Sequence, residues 1–140
     1  MPPAAIPRSF DAFLAEPRNA ILCIGRGEDR APHATPVWFV YDGARFRLSI
    51  TRTRVKYRLL QQTAHVTLVI DDALGNRSVI VEGRAAVEDG DAPLLALARA
   101  LGDKYADGEP GTDAELLRRL HAEQRVVVTV EPQHVLAWSG

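Results

Sequence analysis

The residues of this sequence best suited to chemistry are basic and hydroxyl side chains, which gather where a predicted strand meets a predicted helix. Arg54 and Lys56 open that helix, at an end that carries a partial positive charge and favours acidic side chains. The mismatch costs roughly 0.3–1 kcal/mol per charge, and a bound anion removes it. The hydroxyls of Ser49, Thr51 and Thr53 lie nearby in sequence. Cations and hydroxyls converging on a helix start suit an oxyanion, so we predict a phosphate-binding corner.

The strand that leads into this corner alternates in polarity. Ser49 and Thr51 fall on the same side as Arg47, opposite the apolar Leu48 and Ile50. The hydroxyls are therefore expected to point away from the core and towards the cations. A run of charges is more often a solvated surface that binds nothing, and this alternative stays open.

Hydrophobic patterning predicts the elements that hold this corner. The predicted strands are 19–25, 35–41, 45–50, 66–70, 77–85, 125–130 and 135–138, and residues 51–53 link the third of them to the helix. The predicted helices are 9–16, 54–62, 91–105 and 112–122, and Ser9 is the predicted cap of the first. The last two helices, joined by the loop 107–111, form a helical insertion at about 91–122. This order of elements fits an antiparallel barrel better than repeated strand–helix–strand units.

Three positions predict how the strands turn and bend. Asp42-Gly43 is typical of a hairpin turn between the second and third strands. Gly83 predicts a bend or bulge inside a long strand. Pro132 marks the join between the last two strands, since proline cannot donate to a ladder.

Composition limits the classes of protein that fit. A chain of 140 residues, 46% hydrophobic, predicts one domain, residues 1–140, with a sizeable core. The net charge of −1 gives no reason to expect binding to nucleic acid or to an anionic membrane. Cys23, the single cysteine, lies in an apolar run, which argues against a disulfide scaffold. Residues 1–5 show no signal-peptide or anchor pattern, so the cytoplasm is the expected compartment.

Two predicted strands are apolar on both faces, at residues 79–81 and 126–128. An antiparallel sheet with one wet face should alternate instead. Something must cover the second face. Helices could cover it, but a second copy of the chain is the favoured explanation for a small barrel, because symmetric dimers are the commonest assembly.

Three segments, in this order and spacing, carry a family resemblance: HATPVWFVYDG at 33–43, TRTRVKYR at 51–58 and RSVIVEG at 77–83. From about residue 19 to 138 the chain resembles the pyridoxamine-phosphate-oxidase-like split β-barrel superfamily, and within it the oxidoreductases that use the deazaflavin F420 or FMN. The resemblance implies a mainly β fold, a six-stranded antiparallel split β-barrel of the FMN-binding type. It also implies a homodimer with two cofactor sites at the interface.

The resemblance further implies which residues bind the cofactor. The basic corner would hold its phosphate, strand 35–38 would lie under its ring, and the strand beginning at Arg77 would border the site. Late residues of the partner chain would close it. The cofactor-binding residues implied in this way are Thr35, Pro36, Val37, Trp38, Ser49, Ile50, Thr51, Arg54, Val55, Lys56, Arg77, Ser78, His134 and Trp138. F420 is favoured over FMN on the resemblance alone; its acidic tail would need further cations, for which Arg26, Arg30, Arg45 and Arg47 are candidates.

The expected activity is hydride transfer between this cofactor and a small organic substrate. The sequence has no HExxH, GxSxG or CxxC motif, which suits a reaction carried by a cofactor. No catalytic side chain and no metal site are expected. The chain lacks the basic C-terminal pattern of true pyridoxamine-phosphate oxidases, which argues against vitamin salvage.

Other interpretations stay open beside that of a hydride-transfer enzyme. A carrier that binds a flavin or haem without turnover is one rival, with His134 as the candidate haem ligand. A single-strand binder that uses the basic cluster is another, and the net charge weighs against it. His33 and His121 are expected to be solvated, Trp38 and Trp138 are more often core or interface residues, and Arg77 beside Asp71 and Asp72 predicts a surface ion pair.

Overall fold

The computed structural model describes residues 4–108 and 111–140. Residues 1–3 of the N-terminal stretch and residues 109 and 110 of the predicted loop 107–111 lie outside the described residues. The strands are β1 Ala20–Ile24, β2 His33–Val37, β3 Val40–Tyr41, β4 Phe46–Thr51, β5 His65–Asp71, β6 Arg77–Glu88 and β7 Arg125–Ser139. The helices are α1 Asp11–Ala15, preceded by a 3-10 turn at Arg8–Phe10, then α2 Val55–Leu60, α3 Asp91–Lys104 and α4 Asp113–Ala122.

The seven strands form one sheet in the order β2-β1-β5-β6-β7-β4-β3, and every pair is antiparallel. β1 and β4 lie towards opposite ends of this order, yet α2 contacts both. The sheet must therefore curl until its two ends approach each other. The predicted mainly β, antiparallel fold is confirmed.

The main core lies on the inner face of this curled sheet. Its largest fully buried side chains include Phe13 from α1, Phe46 from β4 and Phe39 from the segment between β2 and β3. Phe10, Phe13 and Leu14 share a buried face, as the spacing predicted. Ser9, however, lies inside the 3-10 turn and caps nothing, because the turn begins one residue earlier.

A second, smaller core forms where α3 and α4 pack on the other face of the sheet. It surrounds the fully buried Val127 of β7 with leucines from both helices. Thr112 caps α4 by accepting from the backbone N–H of Glu115. Helices therefore cover the second face at the start of β7. They leave Ile80 of β6 half-buried and Leu136 of β7 59% exposed.

Two strand predictions were wrong, and tertiary contacts explain both. The run 35–41 is split into β2 and β3 because the N–H of Phe39 bonds to the Tyr105 hydroxyl (3.2 Å) and its carbonyl accepts from Lys104 (2.9 Å). The segments 125–130 and 135–138 form one strand, β7, through Pro132. The sheet accordingly has seven strands rather than six.

The hairpin and bulge predictions are confirmed. Asp42 donates its N–H to the carbonyl of Arg45 (3.1 Å), and its side chain accepts from the N–H of Ala44 (2.9 Å). Gly43 has a φ of 95°, a conformation that glycine adopts at little cost. The register between β6 and β7 shifts at Gly83, which places Pro132 beside the irregularity rather than in a regular ladder.

Candidate functional site

A cleft of about 520 Å³ opens between the two approaching ends of the sheet. β2 forms one wall, the end of β4 and the start of α2 form another, and α3 and α4 close a third side. The lining residues are His33, Thr35, Pro36, Val37, Trp38, Ser49, Ile50, Thr51, Arg54, Val55, Lys56, Ala98, Leu101, Gly102, Asp107, Arg119, Leu120 and Arg125.

Ten of the fourteen residues that the sequence analysis singled out line this cleft. They are Thr35, Pro36, Val37, Trp38, Ser49, Ile50, Thr51, Arg54, Val55 and Lys56. The structure thus brings the β2 segment and the basic corner together, although they come from separate parts of the chain.

Arg77 and Ser78, at the start of β6, do not line the cleft of the same chain. The Arg77 guanidinium lies 4.7 Å from the centroid of the Phe13 ring and 3.5 Å from the carboxylate of Asp72. Ser78 donates to the side chain of Asp71 (3.0 Å). Within one chain, Arg77 therefore makes the surface ion pair that its neighbours in sequence suggested.

His134 and Trp138 lie on β7, also outside the cleft of their own chain. His134 pairs in register with Glu82, and Trp138 pairs with Ser78. Both side chains are exposed, on the same face as Leu136. Only contact with another molecule would bring them to a cleft.

Lys56 is the best-placed cation of the cleft. Its ammonium donates to the Thr35 hydroxyl across the gap between α2 and β2 (3.2 Å). Burial lowers the pKa of Lys56, and the nearby charges of Arg54 and Arg125 lower it further. These three cations repel one another, so an anion among them would be stabilised.

Arg125 belongs to this cluster and was missed by the sequence analysis. It is the first residue of β7 and pairs in register with Thr51. The pairing of β4 with β7 joins segments that are distant in sequence, so no local pattern identified it. A basic residue opening an otherwise apolar strand was the available signal.

The helix at the corner, α2, begins later and is shorter than predicted. α2 starts at Val55 and has six residues, so Arg54 precedes the helix and only Lys56 lies in its first turn. So short a helix contributes a small dipole, and the attraction for an anion comes mainly from the side-chain cations. Ser49 and Thr51 are half-buried on the polar side of β4, as the alternation predicted.

The arginines proposed for the acidic tail of F420 lie outside the cleft. Arg45 pairs with Glu131 (3.2 Å), and Arg47 pairs with Asp42 and Glu88. Neither these arginines nor Arg26 and Arg30 line the cleft. The further cations in its lining are Arg119, which also pairs with Glu123 (2.8 Å), and Arg125.

His33, expected to be solvated, instead lies in the wall of the cleft. Its Nδ1 atom is buried and, among the described residues, has no hydrogen-bond partner. Burial lowers the pKa of His33, and the charges of Arg26 and Lys56 lower it further. These effects favour the neutral form of the imidazole.

Apolar and aromatic side chains also line the cleft. Trp38 is 43% exposed and stacks flat on Tyr105, with ring centroids 4.3 Å apart. Val37, Leu101 and Leu120 are buried members of the same lining. A cleft lined by both cations and apolar side chains suits a ligand that joins an anionic group to a planar ring.

Neither a metal-binding group of side chains nor a membrane-spanning helix is found in the described ranges. Within residues 4–108 and 111–140, no three His, Cys, Asp or Glu side chains are grouped to hold a metal ion. Over the same residues, no helix has the length and apolar content needed to cross a membrane.

Comparisons with known proteins agree with this description. A solved structure described as an F420 reductase is 27% identical, with a TM-score of 0.71, and the match covers 94% of this chain and 98% of that one. An FAD-binding protein from Mesorhizobium loti is 17% identical, with a TM-score of 0.66 and coverages of 98% and 97%. HutZ, a haem storage protein from Vibrio cholerae, is 14% identical, with a TM-score of 0.71 and coverages of 98% and 98%. The last two show a shared fold alone.

A sequence search of curated proteins returned no match. The model of one protein family, pyridoxamine 5'-phosphate oxidase, matches residues 6–139, which is nearly the whole chain. The predicted split-barrel resemblance is thereby confirmed at the level of fold and family. This chain belongs to the pyridoxamine 5'-phosphate oxidase family.

Proposed function

We propose that this protein is an oxidoreductase that binds a flavin-type cofactor in the cleft and transfers a hydride between that cofactor and a small organic substrate. F420 is the favoured cofactor and FMN the alternative. The observation that carries the proposal is the clustering of Arg54, Lys56 and Arg125 in a cleft that apolar side chains also line. The likeness to an F420 reductase at 27% identity supports the preference.

The residues present fit such a cofactor. The volume of about 520 Å³ lies within the range of small-molecule sites, roughly 300–1,000 Å³. Side chains of Arg54, Lys56 and Arg125 would hold the phosphate, with the hydroxyls of Ser49 and Thr51 as further partners. The segment Thr35–Trp38 would border the ring.

A bound flavin or deazaflavin supplies the hydride chemistry, and the protein supplies binding, orientation and electrostatics. The cationic cluster would fix the phosphate of the cofactor, and the buried apolar residues Val37, Leu101 and Leu120 would limit water elsewhere in the cleft. No side-chain acid is required, since solvent reaches the open side of the cleft and can exchange protons there.

A second copy of the chain would complete the site. Ile21, Val69, Ile80 and Leu136 are aligned in register across β1, β5, β6 and β7, and form an apolar row on the outer face of the sheet. We propose that two copies pair through this row. Such pairing would bring the start of β6, with Arg77 and Ser78, and the exposed His134 and Trp138 of β7 towards the cleft of the other copy.

The pairing can be tested with one charge. Leu136→Asp places a carboxylate at the β7 end of the apolar row, on its most exposed member, and is expected to convert a dimer into a monomer, because burying an unpaired charge is costly. Leu74→Asp is the control, since Leu74 is 83% exposed and lies in the β5–β6 loop outside the row. Sedimentation equilibrium gives the molar mass of each. A wild-type monomer, or a Leu136→Asp dimer as stable as wild type, would contradict the interface.

Titration of the purified protein with F420, FMN and haem tests the cofactor itself. We expect F420 or FMN to bind and haem to bind more weakly, each followed by its absorption spectrum. Turnover of reduced F420 with a quinone or enone would then separate an enzyme from a carrier. Preferential haem binding would favour the carrier alternative, which the fold shared with a haem storage protein and the exposed His134 support.

Cofactor binding is also expected to weaken as pH rises. The pKa of Lys56 is lowered in the free protein, first by burial and then by Arg54 and Arg125, and an adjacent phosphate opposes that shift. Above the pKa of free Lys56, binding therefore requires uptake of a proton, and affinity falls by up to about tenfold per pH unit. The phosphate itself remains a dianion above about pH 7, since its second pKa is about 6.

Lys56→Arg is the matched control for this pH dependence. A guanidinium keeps its charge throughout the range, so the variant should bind FMN without the alkaline fall. Titrations at several pH values from neutral to about pH 10 give both curves. Parallel curves for the two proteins would show that Lys56 does not carry the pH dependence.

A further inference from the structure

The wall of the cleft at Trp38 is held by the end of α3, in a contact that the proposed function does not use. β2 ends at Val37 and β3 begins at Val40, so the intervening backbone leaves the sheet ladder. The N–H of Phe39 donates to the Tyr105 hydroxyl (3.2 Å), and that hydroxyl donates to the carbonyl of Arg18 (2.8 Å). The side chain of Tyr105, the residue that follows α3, thus replaces the missing strand partner.

The ring of Tyr105 makes the second contact. It lies parallel to the Trp38 indole, with an interplanar angle of 2° and ring centroids 4.3 Å apart. One tyrosine therefore fixes the backbone of Phe39 through its hydroxyl and the side chain of Trp38 through its ring. The indole keeps 43% of its surface exposed, and it lines the cleft.

Lys104, the residue before Tyr105, holds the helix end itself in place. Its ammonium donates to the carbonyls of Leu14 (2.7 Å) and Phe39 (2.9 Å) and lies 3.6 Å from the centroid of the Phe39 ring. Burial, with a smaller contribution from the charge of Arg18, lowers the pKa of Lys104 to about 8. The helix end is therefore tied to α1 as well as to the break between β2 and β3.

We infer that Tyr105 is a positioning residue, which sets the orientation of Trp38 and so shapes the part of the cleft that receives the planar ring of a ligand. The inference rests on the proposed function for the identity of that ligand. Trp38 lies three residues beyond Thr35, the hydroxyl that Lys56 contacts. An extended chain spans about 10 Å over that distance, so the wall and the cationic cluster would act on different ends of one molecule.

Two ligands, one with only the ring and one with only the anion, test this inference. Riboflavin carries the ring without a phosphate, and inorganic phosphate carries the anion without a ring. Both are titrated into the wild-type protein, Tyr105→Leu, which loses the ring stack, and Tyr105→Phe, which keeps it. We expect Tyr105→Leu to weaken riboflavin binding roughly tenfold and to leave phosphate binding within about twofold.

A measurement on the ligand-free protein tests the positioning directly. In a Trp138→Phe background, Trp38 is the single tryptophan. Tyr105→Leu is expected to raise the acrylamide quenching constant of Trp38 about twofold, since one face of the indole is no longer covered. Tyr41→Leu is the matched control, because Tyr41 packs on Phe46 with centroids 4.7 Å apart and does not line the cleft.

The possible outcomes are distinct. Unchanged quenching in Tyr105→Leu overturns the inference, as does equal weakening of riboflavin and phosphate, which would indicate a general loss of structure. If Tyr105→Leu does not fold, Tyr105→Phe is the deciding variant. It should weaken riboflavin binding about two- to threefold, because the hydroxyl contacts are lost. Unchanged riboflavin binding in Tyr105→Phe would overturn the inference. Failure of the wild-type protein to bind any flavin would count against the proposed function, while the quenching comparison would still decide whether Tyr105 positions Trp38.

Discussion

Replacing Arg54 and Lys56 together with alanine is expected to weaken FMN or F420 binding by ~3 kcal/mol, about a hundredfold in affinity. Each hydrogen bond from a charged group to a phosphate contributes roughly 1.5–3 kcal/mol, and Arg125 would retain part of the site. Fluorescence or absorption titration gives the dissociation constants. The same variant should bind riboflavin almost as the wild type does, because riboflavin lacks the phosphate.

A control for this variant comes from the same corner of the chain. Arg52→Ala with Arg58→Ala also removes two positive charges, but neither side chain lines the cleft. The control should therefore keep the wild-type affinity for FMN within about threefold, since exposed charges act weakly through solvent. Equal losses in both double variants would indicate a general effect of net charge. Unchanged affinity in the first would remove the anion site from the proposal.

The corner could be predicted from the sequence because it is local. Ser49, Thr51, Arg54 and Lys56 lie within eight consecutive residues, and strand alternation alone places the two hydroxyls on one side. Local patterns also gave the Asp42-Gly43 hairpin and the irregularity at Gly83. The cause of the hairpin acts between near neighbours, and a glycine inside an apolar strand is itself a local signal that another backbone approaches closely.

The rest of the cleft depends on contacts between distant segments. Arg125 joins the cationic cluster only because β7 pairs with β4, and His33 enters the wall only because the sheet curls. The division of the run 35–41 follows from a hydrogen bond between Phe39 and Tyr105, 66 residues apart. The apolar pattern of that run is the same whether or not the distant tyrosine is present, so periodicity could not predict the break.

The prediction that two strands meet near Pro132 was wrong for a different reason. Proline cannot donate to a ladder, and this rule predicted two strands where the structure has one. The rule itself holds, because Pro132 lies beside the shift in register, where the ladder is already irregular. The carbonyl of Pro132 also accepts from the N–H of Ala4 (2.9 Å), so the segment is held by the N-terminal stretch.

The largest expected effect on the stability of the fold comes from a substitution at Gly83, where the register between β6 and β7 shifts. Gly83→Ala is expected to lower the free energy of unfolding by ~2–3 kcal/mol. A Cβ atom built at Gly83 lies 2.7 Å from the Val130 side chain and 2.8 Å from the carbonyl oxygen of Glu131. The second of these atoms is backbone in the middle of β7, so the contact cannot be relieved by a change of rotamer.

Gly25→Ala provides the matched control, because a Cβ there meets nothing within 4 Å. It should change the free energy of unfolding by no more than about 0.5 kcal/mol. Urea unfolding, with all proteins at one concentration and with equal m-values, gives the comparison. Equal stability of the two alanine variants would show that β7 moves aside at no cost.

The double variant Gly83→Ala with Val130→Ala separates the two close contacts. Val130→Ala alone removes buried methyl groups and costs stability by itself, so the informative quantity is the coupling between the two changes. Truncating Val130 relieves the contact with its side chain and leaves the contact with the Glu131 carbonyl. We therefore expect the double variant to be more stable than the sum of the single losses predicts, by ~1 kcal/mol, yet still less stable than Val130→Ala alone. Complete recovery would assign the whole effect to the valine side chain, and zero coupling would assign it to the backbone of β7.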